Sequence, residues 1–159
     1  MKQTDGQAVS AETTDTRAET TTAPPAAVAA RRARLRAAAD AYFEGLARKD
    51  FSLIPYADDV TLRAPLCPGG VHHPLTGKET LRAIWWAPLP AALGAVRVID
   101  HYYTDELTAI CVEAEVGIVG VAQPLRVADR FTVDTAGKIV EQEIHCDPRD
   151  VTNPGWQNG

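Results

Sequence analysis

Long hydrophobic runs are missing from this sequence of 159 residues. No apolar stretch approaches the roughly 18 residues that a membrane-spanning helix needs. The N-terminus also lacks the charged segment followed by an apolar one that is typical of a secretory signal. These absences predict a cytoplasmic protein without a membrane partner.

Cysteine is scarce, with Cys67, Cys111 and Cys146 as its only occurrences. Their odd number and wide spacing argue against a disulfide framework and fit a reducing compartment. Cys67 precedes His72 and His73 at a spacing that matches no closed zinc pattern, and no second ligand pair follows. The sequence therefore predicts no metal site.

Motifs for nucleotide cofactors are absent as well. The chain contains no Gly-rich phosphate loop, no GxSxG elbow and no dinucleotide fingerprint. Its net charge is -5, and no basic face of the kind that nucleic-acid binders present is visible. We expect neither a cofactor nor a nucleic-acid partner.

The composition, 45% hydrophobic and 23% charged, is typical of a single globular domain. Residues 1–26 are rich in Thr, Ala, Glu and Gln and have few large apolar side chains, which predicts a disordered leader. The domain itself is expected over 27–150, followed by a tail at 151–159 that contains Trp156.

Hydrophobic periodicity predicts the elements of the domain. Apolar residues recur every three or four positions in two segments, which indicates amphipathic helices over 26–49 and 78–87, with a short helix or turn over 50–56 between them. Alternation of apolar and polar residues indicates strands over 60–66, 96–104, 107–119, 125–134 and 138–146. Helices followed by consecutive hairpin strands predict an α+β fold with an antiparallel sheet, and a curved sheet with helices on one face encloses a cone-shaped pocket.

The strand over 125–134 carries an acid on its apolar face. Val127, Asp129 and Phe131 share one face because side chains alternate with a period of two. A carboxyl among apolar neighbours must be paired, hydrogen-bonded or protonated. Asp129 is therefore the main candidate for a general acid or base. The alternative is a structural aspartate bound to the backbone or to an arginine such as Arg126 or Arg130.

Other side chains accompany Asp129 as candidate site residues. Tyr42 lies on the apolar face of the first helix, where its hydroxyl needs a partner. His73 in the loop after the first strand is a candidate proton shuttle. Candidate substrate-binding residues are Trp85, Phe131, Leu62, Ala64, Glu113, Glu115, His72 and Ile144.

Three segments resemble a known group of proteins. The stretches Tyr42 to Asp50, "YADDVTLRAP" and "TGKETLRAIWW" resemble the beginning of ketosteroid isomerases and SnoaL-like polyketide cyclases, and "ADRFTVDTAGKIVEQEIHCD" resembles their last two strands. The resemblance covers about residues 35–148 and implies the nuclear-transport-factor-2-like fold. It places Tyr42 on the oxyanion-hole tyrosine of the isomerases and Asp129 on their protonated aspartic acid. Their catalytic base falls on Ala64, which cannot take a proton.

The resemblance also bears on the two glutamates. Glu113 and Glu115 lie opposite Val112 and Ala114 on their strand. If the apolar face covers the core, both glutamates meet solvent. If that face is a dimer surface, as the convex face often is in this superfamily, both point into the pocket. The apolar content on both sides of the strands predicts a homodimer.

Three functions remain open from the sequence. The first is a cofactor-independent isomerase or cyclase for a small hydrophobic organic substrate, with Asp129 as acid–base residue. The second is an epoxide hydrolase or epoxide-opening cyclase that uses Glu113 or Glu115. The third is a ligand-binding domain without turnover, since fold does not determine function.

Overall fold

The computed structural model describes residues 24–152. Most of the predicted leader and tail, including Trp156, lies outside the described residues. Within them, the elements in chain order are helix α1 (Pro25–Arg48), a 3-10 turn (Phe51–Leu53), strands β1 (Tyr56–Arg63) and β2 (Leu75–Thr76), helix α2 (Lys78–Thr80) continued by a π-helix (Leu81–Trp86), helix α3 (Leu89–Ala92), strands β3 (Leu93–Tyr103), β4 (Ala109–Ile118), β5 (Leu125–Val133) and β6 (Ile139–His145), and helix α4 (Arg149–Thr152).

The six strands form one curved, open sheet in the order β2-β1-β6-β5-β4-β3. All neighbouring pairs are antiparallel except β1 and β6, which run parallel. Register shifts in the β3–β4 pair increase its twist and bend. The structure confirms the α+β fold and its curved sheet, but the single parallel pair makes the sheet mixed rather than wholly antiparallel. β1 and β6 are the first and the last strand in the sequence, so the long connection that parallel strands require lies between them.

Helix α1 packs its predicted apolar face against the concave side of the sheet. It begins at Pro25, whose ring suits the first helical position, and ends at Arg48, after which Lys49 caps it in a left-handed conformation. Gly45 lets the next segment approach closely, because a Cβ atom there would lie 2.7 Å from Ile54. The buried face consists of Leu35, Ala38, Ala39, Tyr42, Phe43, Gly45 and Leu46.

Arg31 attaches the first half of α1 to the end of the sheet. Its Nε donates to the carbonyl oxygen of Leu107 at 2.7 Å, and its Nη1 donates to that of Asp134 at 2.8 Å. Its Nη2 donates to the carbonyl oxygen of Val133. One half-buried guanidinium thus satisfies three backbone acceptors beside β4 and β5.

Replacing Arg31 by methionine is expected to lower the free energy of unfolding by about 2 kcal/mol, because three part-buried acceptors lose a charged donor. Arg34→Met is the matched control, since among residues 24–152 its exposed guanidinium bonds a single acceptor, the Thr135 carbonyl, and it should cost at most about 0.5 kcal/mol. Urea denaturation measures both changes. Equal losses in the two variants would contradict this role for Arg31.

None of the helices over residues 24–152 is both long and apolar enough to cross a membrane.

Candidate functional site

A cavity of about 210 Å³ opens between the concave face of the sheet and the helices. The side chains that line it are apolar apart from two thiols, the Trp85 indole N–H, the Tyr42 hydroxyl and one carboxyl, that of Asp129. Leu66 and Ile84 are exposed and lie at its rim. The residues that line the cavity are Tyr42, Leu46, Ala64, Pro65, Leu66, Cys67, Pro68, Ile84, Trp85, Pro88, Leu89, Leu93, Val116, Ile118, Leu125, Val127, Asp129, Ile144 and Cys146.

Asp129 reaches the cavity from the middle of β5. Its side chain faces inward because it shares the parity of Val127 and Phe131, and only 2% of the residue is exposed. The predicted arginine partners lie on the opposite face, where Arg126 pairs with Glu113 and Arg130 lies 3.9 Å from Glu141. Asp129 is therefore not part of a structural ion pair with either arginine.

The surroundings of Asp129 favour its protonated form. Burial raises the pKa of its carboxyl from 3.8 to about 7, although contacts with Tyr42 and Gln142 act in the opposite direction. Its Oδ1 is buried and has no hydrogen-bond partner among residues 24–152. A carboxyl in this state can give or accept a proton near neutral pH.

Tyr42 comes to Asp129 from helix α1. Its ring packs against Phe131, with 4.8 Å between centroids, and stacks on Trp85 at 6.1 Å. Burial and the neighbouring Asp129 charge raise the pKa of its hydroxyl well above the ordinary value. The hydroxyl thus stays protonated and is available as a hydrogen-bond donor.

The structure brings five of the predicted site residues together at the cavity: Asp129, Tyr42, Trp85, Ala64 and Ile144. Two others lie behind its wall. Phe131 is fully buried and contacts the Tyr42 ring, and Leu62 is fully buried in β1. The prediction that these two contact a substrate is corrected, because neither residue lines the cavity.

The two glutamates lie on the outer face of the sheet. Glu113 pairs with Arg126, and Glu115 pairs with Arg97 at 2.7 Å. The apolar residues of β4 face the core instead. Of the two orientations that the sequence left open, the structure shows the outer one, so the assignment of Glu113 and Glu115 as substrate-binding residues of the pocket is corrected, and they cannot supply the carboxylates of an epoxide-opening route there.

His72 and His73 are exposed and do not line the cavity. Their loop folds back on itself through backbone hydrogen bonds from Gly70 to Cys67 and from His73 to Gly69. Residues 64–68 supply the part of the loop that lines the cavity. The prediction that His73 shuttles protons there is corrected, because His73 does not line the cavity. Among residues 24–152, no group of three metal-ligating side chains is placed to hold a metal ion.

Sequence reasoning missed a buried polar pair beside Asp129. Gln142 is fully buried in β6, and the Tyr56 hydroxyl donates a hydrogen bond to its Oε1. Gln142 has the same parity as Ile144, which was expected to face inward. A polar side chain on the inner face of β6 was thus the signal available in the sequence.

The family model for the SnoaL-like domain matches residues 39–142. No curated protein shows significant similarity to the chain.

Solved structures share the fold at low sequence identity. A steroid delta-isomerase from Pseudomonas aeruginosa superposes with a TM-score of 0.59 at 20% identity, over 79% of this chain and 85% of that one. RV0760c from Mycobacterium tuberculosis, in complex with estradiol-17beta-hemisuccinate, gives 0.61 at 15% identity over 72% and 94%. The epoxide hydrolase/cyclase-like enzyme SalBIII, with a role in pyran ring formation in salinomycin, gives 0.62 at 15% identity over 75% and 94%.

These structures and the chain share the nuclear-transport-factor-2-like architecture of a curved sheet around a cavity. The family model spans more than half of the chain and includes Tyr42, Ala64, Trp85 and Asp129 of the cavity wall. The chain belongs to the SnoaL-like domain family.

Proposed function

We propose that the protein is an isomerase or cyclase that acts on a small, apolar, carbonyl-containing molecule by acid–base catalysis at Asp129. The observation that carries the proposal is the position of this carboxyl, buried at the wall of an apolar cavity with a pKa raised to about 7. A group with that pKa is populated both as acid and as base at neutral pH, which is the condition for moving a proton in both directions.

Asp129 and Tyr42 divide the chemistry between them. The Asp129 carboxylate takes a proton from a carbon next to the substrate carbonyl, and the electron pair of that C–H bond moves onto the carbonyl oxygen. The Tyr42 hydroxyl donates a hydrogen bond to the oxygen as its negative charge develops. In an isomerisation of a β,γ-unsaturated ketone, the dienolate collapses and the protonated Asp129 returns the proton to the γ-carbon. In a cyclisation, the enolate carbon attacks a second carbonyl of the substrate, the π electron pair of that carbonyl moves onto its oxygen, and Asp129 returns the proton to this alkoxide.

The cavity wall restricts the substrate class. Asp129 is the only charged residue among the described residues that line it. No cation is present to bind a carboxylate or phosphate, and ionised Asp129 repels anions. The substrate is therefore a neutral molecule, with one hydrogen-bond acceptor directed at Tyr42 and an apolar body against Trp85, Val127 and Leu89.

A ligand-binding domain without turnover is the second candidate. Ala64 occupies the position where the resemblance to ketosteroid isomerases places their base, and no other carboxylate and no histidine lines the cavity within residues 24–152. This composition favours a mechanism with one acid–base residue or no catalysis at all.

Deuterium exchange distinguishes the two candidates. A panel of neutral cyclic ketones and polyketide-like diketones is incubated with the protein in D2O. An acid–base enzyme incorporates deuterium at carbon, which mass spectrometry detects, and the Asp129→Asn variant loses the exchange. Tight binding of a compound with no exchange above the buffer rate would favour the binding domain.

The substitution Ala64→Leu tests whether a ligand binds in the cavity. Ala64→Leu places three more carbons at the wall, and we expect the affinity for a neutral probe such as 2-naphthol to fall about tenfold or more. Ala128→Leu is the matched control because Ala128 lies on the outer face of β5. Calorimetric titration measures both affinities. Unchanged binding by the Ala64 variant would place the ligand elsewhere.

Cytoplasmic location and homodimerisation stay predictions. The outer face of β4 and β5 carries Glu113, Glu115 and Arg126, so the apolar outer surface assumed for a dimer is absent from this part of the sheet.

A further inference from the structure

Two polar side chains without a role in the proposed chemistry are buried directly behind Asp129. Tyr56 is 1% exposed and Gln142 is 0% exposed, and neither lines the cavity. Gln142 lies opposite Phe131 of β5 and Leu62 of β1 in the strand register. It therefore occupies the interior layer between these strands, one inward-facing position along β5 from Asp129.

The Tyr56 hydroxyl fixes the orientation of the Gln142 amide. It donates to Oε1, so the two N–H groups on Nε2 point the other way. Nε2 is buried without a hydrogen-bond partner among the described residues, and so is Oδ1 of Asp129. Nε2 of Gln142 is a hydrogen-bond donor, and Oδ1 of Asp129 is an acceptor once the carboxyl is ionised. Buried groups of complementary type that lack partners are rare, because each loses its hydration without compensation.

We propose that Gln142 is a positioning residue for Asp129 and Tyr42, and that Tyr56 holds its amide so that N–H rather than C=O faces them. The proposal rests on the proposed acid–base function of Asp129. An amide donor stabilises the carboxylate, whereas the carbonyl oxygen of a reversed amide would stabilise the protonated acid. Tyr56 thereby keeps Asp129 able to lose its proton.

The other titratable groups near Asp129 do not compete with this effect. Among the described residues they are Tyr42 from α1, Tyr56 from β1, Cys67 of the cavity wall, Cys111 from β4 and Cys146 beyond β6. Burial raises the pKa of all five, so all are uncharged near pH 7. Contact with Gln142 lowers the pKa of both Asp129 and Tyr42, which is the direction expected for an amide donor.

The test is the pKa of Asp129, measured without substrate from the side-chain carboxyl resonance of protein carrying 13C-labelled aspartate. Gln142→Met keeps the length of the side chain and removes its donors, and we expect the acid dissociation constant to fall about tenfold. Tyr56→Phe removes one oxygen, frees the amide to reverse, and should lower the constant as well. In the Gln142→Met background the Tyr56 substitution should have no further effect.

A dissociation constant within a factor of two of wild type in both single variants would overturn the proposal. The proposal would also be overturned if Tyr56→Phe lowered the dissociation constant of Asp129 equally in the wild-type and Gln142→Met backgrounds. Tyr56 would then act on Asp129 directly and not through the Gln142 amide. Tyr56→Phe keeps the ring that packs at 5.7 Å from Phe51, so one informative variant remains if Gln142→Met does not fold. Turnover by Asp129→Asn would refute the catalytic function while leaving this titration result standing.

Discussion

Asp129→Asn is expected to lower turnover by a factor of about 100 to 10,000, the range that a general acid–base residue contributes. Asparagine has nearly the shape of aspartate but cannot exchange a proton with a substrate carbon. The affinity for a neutral ligand should change little, because the apolar wall that supplies most of the contact is untouched. The loss should therefore appear in kcat rather than in ligand affinity.

The control for this substitution is Asp59→Asn. It makes the same charge change on β1, where Asp59 is exposed, and it should leave kcat unchanged. If Asp129→Asn retained turnover within a few fold of wild type, Asp129 would not be the acid–base residue.

The same substitution is expected to stabilise the protein at alkaline pH. The folded state holds the Asp129 proton up to about pH 7, while the unfolded chain loses it near pH 3.8. Between these values the folded state binds more protons than the unfolded state, so its stability falls as pH rises. The shift of about three pKa units corresponds to about 4 kcal/mol lost by pH 8, and a neutral asparagine avoids that loss.

Urea denaturation from pH 4 to pH 8 measures this effect. The free energy of unfolding of Asp129→Asn relative to wild type should increase with pH and level off above pH 7. Asp59→Asn, which makes the same substitution at an exposed position, is the control. A difference between Asp129→Asn and wild type that does not vary with pH would mean that Asp129 ionises normally in the folded protein.

Strand parity was enough to place the main acid. The alternation Val127, Asp129, Phe131 identified an inward carboxyl, and the structure buries it at the cavity wall. The buried face of α1, which carries Tyr42, could also be predicted, because its apolar residues recur with helical spacing. Both inferences needed only local periodicity.

Parity alone could not decide which face of β4 is inside. Glu113 and Glu115 share a face in either case, and the answer depends on the pairing of that strand with β3 and β5. The ion pairs with Arg97 and Arg126 form across strands. These partners are 18 and 13 residues away in sequence from the glutamates that they bind, so neither pair belongs to one local pattern.

Long-range pairing concealed Gln142, whereas the histidines were misplaced because they lie in an irregular loop. Gln142 meets Tyr56 only because β6 runs parallel to β1, and the two residues are 86 positions apart. His72 and His73 are exposed, do not line the cavity, and lie in a loop held by local backbone hydrogen bonds. A loop rich in glycine and proline has no periodicity from which side-chain direction can be inferred.

The pKa of the Asp129 carboxyl in the wild-type protein tests the central claim most directly. Titration of its 13C resonance should give a midpoint near 7, because the carboxyl is buried at an apolar cavity without a cationic partner. A midpoint near 4, that of a solvated aspartate, would contradict both the buried position of the acid and the catalysis assigned to it.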